Sequence, residues 1–119
     1  MASRPIHFEL PVDDFKRAGD FYRNVFGWEI TSWPGEAEYY LIKTGEQGEP
    51  GIDGGLTARS ALAHTTNTIG VANLDEAIAS VEANGGRVFA SRMEIPNVGW
   101  LAYVQDTEGN VFGMMQGTM

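Results

Sequence analysis

The chain has 119 residues, 43% of them hydrophobic and 20% charged, enough apolar material for one compact domain or two half-size modules around a shared core. Eight Lys and Arg against sixteen Asp and Glu leave a net charge of −8, and no basic cluster offsets it, which excludes binding to a nucleic-acid backbone. Without cysteine there is no disulfide, thiolate metal site or cysteine nucleophile.

No apolar run approaches the roughly 20 residues that span a bilayer, and Met1-Ala2-Ser3-Arg4-Pro5 leads into no apolar h-region. A soluble, cytoplasmic protein with no membrane partner is the expectation. Fifteen glycines exceed the usual share of about 7%, pointing to tight turns or to backbone that must approach something closely.

The first strand alternates: Ile6, Phe8, Leu10 and Val12 share one face, with His7, Glu9 and Pro11 on the other. Asp13 or Asp14 can cap a helix whose buried stripe is Phe15, Ala18, Phe21, Tyr22, Val25 and Phe26, and Gly27 supplies its left-handed exit. Strand-like runs follow at Trp28 to Trp33, Glu38 to Thr44 and around Gly54-Gly55-Leu56, with Gly45 to Gly51 an exposed loop.

A shift of 59 residues then sets the second half on the first. Phe8 to Phe15 lies over Asn67 to Leu74, and Ala18, Tyr22, Gly27 and Ile30 meet Ala77, Val81, Gly86 and Phe89. In the second copy Ile69 and Val71 take the apolar face and Thr66, Thr68 and Gly70 the opposite one. Asn73-Leu74-Asp75-Glu76 resembles a capping box, and Leu74, Ala77, Ile78 and Val81 form the buried stripe up to the Gly85-Gly86 exit. Arg87 to Arg92, Gly99 to Gln105 and Asn110 to Gln116 read as strands, the last two joined by the turn Asp106-Thr107-Glu108-Gly109. The plan is βαβββ twice, with module 1 at about 4–58, a linker at about 59–65 and module 2 at about 66–117.

These residues resemble the vicinal oxygen chelate superfamily of glyoxalases, bleomycin-resistance proteins and extradiol dioxygenases. The resemblance is carried by FELPVDDFKRAGDFYRNVFGW (Phe8 to Trp28), its echo VANLDEAIASVEANGG (Val71 to Gly86) and QDTEGN (Gln105 to Asn110). Tyr40 to Gly45, Gly54-Gly55-Leu56 and Val98 to Tyr103 look like a bacterial branch of small glyoxalase-like proteins whose members are mostly unassigned in function. It implies an α+β fold of two βαβββ modules around a central cleft, a homodimer, and a divalent metal held by the first and last strands of each module. Carried over residue by residue, those ligand positions fall on His7, Thr66, near Gly55 and on Gly113. Only His7 can serve well, since hard or borderline cations want carboxylate or imidazole donors. A register slip of two could bring in His64, because it keeps the strand face.

His7 is the leading polar candidate, as an acid/base or ligand hydrogen bonder; the plain alternative is a strand-end histidine bonded to neighbouring backbone. Glu9 shares its face and could hold the imidazole protonated or receive a cationic ligand, or simply meet solvent. Tyr39, Trp100 and Tyr103 are candidate walls of an aromatic cleft, and Gly55 and Gly113 candidate open positions that enlarge it; close packing of the sheets is the alternative.

The expectation is a glyoxalase-like protein binding a small organic molecule without the usual metal or another cofactor. The alternatives are a metal-dependent lyase or dioxygenase, a metal-free acid/base catalyst using His7, and an antibiotic-sequestering protein that favours cations. Whether it is an enzyme stays open at this level.

Overall fold

A computed structural model describes residues 3–35, 38–60 and 63–117. The described chain is α+β and runs β1 (Arg4–Val12), α1 (Phe15–Phe26), β2 (Glu29–Ser32), β3 (Tyr39–Lys43), β4 (Asp53–Ala58), β5 (Thr66–Gly70), α2 (Leu74–Ala83), β6 (Arg87–Ile95), β7 (Gly99–Gln105) and β8 (Val111–Gly117). This is βαβββ twice. It divides into two compact units, one of residues 7–65 and one of 66–117 together with residues 3–6.

In the unit of residues 7–65 the strand order is β2-β3-β4-β1, antiparallel except for the parallel β1–β4 pair. Asp14 caps α1 by accepting from the Arg17 N–H at 2.9 Å, and Gly27 ends the helix at φ 72°. The helix packs on the strand face carrying Val12, Ile30, Ile42 and Leu56, with Phe8, Leu10, Phe15, Ala18, Tyr22, Trp28 and Tyr40 around them. Phe21, Val25 and Phe26, expected in that stripe, are exposed, because the helix buries the Phe15–Ala18–Tyr22 edge instead. Ile6 also leaves the expected set: it groups with the other unit, its Cδ1 lying 3.0 Å from where a Cβ on Gly70 would be.

In the unit of residues 66–117 the order is β5-β8-β7-β6, with β5–β8 parallel and the rest antiparallel. Asn73 caps α2 by accepting from the Glu76 N–H, and Gln116 Oε1 accepts from the buried Leu74 N–H at 2.7 Å, tying the helix start to β8. The core is Leu74, Ala102, Val104 and Met114. The Asp106 carboxylate accepts from the Glu108 and Asn110 N–H groups and from the Asn110 amide, which closes the β7–β8 turn.

In both units, then, the helix covers one strand face and leaves the other parity of residues for different work.

Candidate functional site

In the unit of residues 7–65 that other parity is set by strand register. His7 pairs with Asp53 and Glu9 with Gly55 across β1–β4, while Leu41 pairs with Gly55 and Tyr39 with Thr57 across β3–β4. These residues alternate with the core residues Phe8, Gly54, Leu56 and Tyr40, so they share the face turned away from α1.

Tyr39 Oη and His7 Nε2 share a hydrogen bond of 2.8 Å, the polar centre of this face. Glu9 is only 7% exposed, and no buried side-chain N or O among the described residues lacks a partner. Asp53 Oδ1 accepts from Thr44, from its N–H at 2.8 Å and its hydroxyl at 3.2 Å, which anchors the start of β4 beside His7. Sequence reasoning passed over Asp53, although it lies two residues before Gly55 and so on the same strand face.

Burial pushes the His7 imidazole below its usual 6.5, and the carboxylates of Glu9 and Asp53 pull it back only in part. Of the alternatives for Glu9, this disfavours its holding His7 protonated, since losing water costs the cation more than the carboxylates return. The unfolded chain therefore binds this proton more readily than the folded one. The stability contributed by neutral His7 is complete above pH 6.5 and is lost as pH falls through the lowered folded value. Urea unfolding of the wild type from about pH 7.5 to about pH 5 is expected to show this loss, and His7→Gln to show a shallower decline.

Gly55 and Gly113 do not leave open space. A Cβ on Gly55 would collide with the phenol of Tyr39, which lies over it. At Gly113 a Cβ would meet Thr68 Oγ1 at 3.2 Å, Leu101 Cδ1 at 3.4 Å and Tyr103 Cε1 at 3.4 Å. Both expected openings are filled by neighbouring side chains. In the unit of residues 66–117, Gly113 pairs with both Thr68 and Tyr103, so those three share a face. Trp100 does not join them. Three residues from Tyr103, it has the opposite parity and packs on the α2 core, with the Arg92 guanidinium 5.1 Å from its ring centroid and Arg92 bonded to Asp75.

The residues present do not fit a divalent metal. Of the four positions the resemblance implies, His7 is joined to Tyr39, Gly55 lies under the phenol, Gly113 is packed and Thr66 offers a hydroxyl. The slip that would recruit His64 does not occur: β5 begins at Thr66 with Thr68 opposite Gly113, and His64 is exposed ahead of the strand. Among the described residues no three His, Cys, Asp or Glu side chains group to hold a metal ion.

A groove of about 490 Å³ opens on the helix side, floored by Phe15, Ile30 and Tyr40. Its rim charges are committed elsewhere: Asp14 caps α1, Asp13 pairs with Arg59, and Arg23 bonds Asp20 and the Ile30 carbonyl. No helix among the described residues is long and apolar enough to cross a membrane.

A family model described as bleomycin resistance protein-like N-terminal matches residues 4–45. A "Glyoxylase-like domain-containing protein" of Didymella fabae is 28% identical over 109 residues, covering 86% of this chain and 84% of its own. Among solved structures, a Streptomyces coelicolor methylmalonyl-CoA epimerase variant in complex with 2-nitronate-propionyl-CoA superposes with a TM-score of 0.76 at 15% identity, covering 99% of this chain and 96% of its own. A hypothetical protein of Bacillus halodurans gives 0.78 at 13%, covering 100% and 97%. With this family match on the first module, a glyoxylase-like relative along most of the length and the duplicated βαβββ fold, the chain is similar to the vicinal oxygen chelate superfamily.

Proposed function

We propose that this glyoxalase-like protein binds a small organic molecule on the His7 face of residues 7–65 and does so without a metal. The observation that carries the reading is the His7–Tyr39 hydrogen bond beside a nearly buried Glu9, a polar cluster on the strand face that the helix core does not use. A neutral imidazole and two carboxylates make this face rich in acceptors, so the ligand it suits brings N–H or O–H donors or a positive charge. The epimerase neighbours support the fold, and small organic ligands are bound by some of them. An anionic acyl group would meet Glu9 and Asp53 here with like charge.

A second reading is a metal-free acid/base catalyst. It is favoured by the neutral state of His7, since an imidazole without its proton can accept one near pH 7. Turnover separates the two.

A thermal-shift screen of small cationic, neutral and anionic molecules tests the proposal. Donor-rich and cationic molecules are expected to stabilise the wild type, by about 2.7 kcal/mol at a hundredfold excess over the dissociation constant, and to lose the effect in His7→Ala. Stabilisation by anions alone, or stabilisation unchanged in His7→Ala, would contradict it. So would a stoichiometric divalent metal in the purified protein that His7→Ala removes.

A further inference from the structure

We infer that, on the reading of the His7 face just given, Tyr39 is its specificity-determining residue: its phenol caps His7, and Gly55 lacks a side chain so that the phenol can lie there. The strand register makes the phenol's path unusual. Tyr39 stands opposite Thr57, which stands opposite Pro11, whereas His7 stands opposite Asp53. To reach His7 the phenol must run diagonally across β4, and Gly55 is the residue it crosses.

The glycine is otherwise unexplained. Gly55 is absent from the positive-φ glycines, so its backbone is open to any residue, and glycine inside a strand is unfavourable on entropic grounds. The three atoms nearest to a Cβ at this position are Oη, Cζ and Cε1 of Tyr39. At Gly54 the obstacle is different, the Phe8 carbonyl oxygen at 2.5 Å and the Phe8 ring, so that glycine serves the β1–β4 contact and core. One glycine fits the sheet to itself. Its neighbour fits the sheet to Tyr39.

The consequence is a site with its own side chain as occupant. The phenol hydroxyl holds the ring nitrogen that a ligand would use. A molecule reaches His7 by moving the phenol aside and replacing its hydrogen bond, which favours compact ligands carrying one hydroxyl group, because a hydroxyl, like the phenol, can donate or accept. Larger ligands are stopped at the Tyr39 ring.

The chain's two histidines make this measurable without knowing the ligand. Diethyl pyrocarbonate acylates accessible neutral imidazoles, and peptide mass analysis separates His7 from the exposed His64, which serves as the internal standard. In the wild type His7 is expected to react more slowly than His64. Tyr39→Phe, which keeps the ring, should speed His7 by roughly five- to tenfold, the scale of one net hydrogen bond lost. Tyr39→Ala should speed it further, and p-cresol, the free analogue of the tyrosine side chain, should restore protection and stabilise that variant while leaving the wild type unaffected. Gly55→Ala should displace the phenol and raise the His7 rate with the fold intact by circular dichroism. An unchanged His7 rate in folded Tyr39→Phe and Gly55→Ala would overturn the inference. The rates report on the cap alone, so a failed ligand screen with accelerated variants would sink the binding proposal and leave the cap standing.

Discussion

Gly99→Ala is expected to lower the unfolding free energy by about 3 kcal/mol, a large part of the roughly 5–15 kcal/mol that holds a domain together. Gly99 opens β7 at φ 148°, a conformation that L side chains rarely adopt, and it follows Asn97 at φ 66° in the turn between β6 and β7. A Cβ there would also collide with the Gln116 carbonyl of β8, where Gly99 pairs with Gly117. A carbonyl already placed in a sheet cannot swing away as a side chain can. The strain therefore passes into the β7–β8 pairing and on to Gln116, whose side chain anchors α2 through Leu74. Urea unfolding should show a midpoint lowered by about 1 M or more, given slopes of about 1–3 kcal/mol per molar for small domains. A wild-type midpoint would mean that the turn relaxes and that Gly99 is dispensable.

The sequence carried the element order because both modules use ordinary signals: strand alternation, Asp14 and Asn73 as caps, and a left-handed glycine at the helix exits, Gly27 ending α1 and Gly85 following the Asn84 C-cap of α2. It was least legible where a signal was broken or shared between strands. β6 extends to Ile95, past the expected end at Arg92, because register shifts between Val88 and Ala90 and again between Ala90 and Met93 disrupt its alternation, leaving Phe89 and Met93 exposed. Trp100 was misgrouped although its spacing from Tyr103 already set the two on opposite faces. Of the candidate site, His7 and Glu9 stood out by residue type and parity. The phenol over Gly55 did not, because a diagonal contact depends on a register that no local pattern fixes. The protonation of His7 was hidden for a related reason: the neighbouring carboxylates are visible in the chain, whereas the burial that outweighs them is not.

Leu56→Ala should separate the two faces of β4 in a single experiment with Gly55→Ala. Leu56 is 0% exposed and sits among Val12, Ile30 and Ile42, opposite Leu10 on β1 and Tyr40 on β3. Cutting it to alanine removes buried methyls and leaves a cavity under α1, which costs about 2–5 kcal/mol. Its neighbour Gly55 points the other way, where the obstacle to a new methyl is a phenol that can turn aside. Leu56→Ala is therefore expected to shift the unfolding midpoint strongly while leaving the native-state reactivity of His7 near the wild-type value. Gly55→Ala should do the reverse, changing His7 far more than stability. The contrast follows from a period of two: adjacent strand residues answer to different neighbours, one to the core and one to the site. If Leu56→Ala accelerated His7 as much as Gly55→Ala under conditions where both remain folded, the cap would be held by core packing rather than by its own contacts, and Gly55 would lose its special place beneath Tyr39.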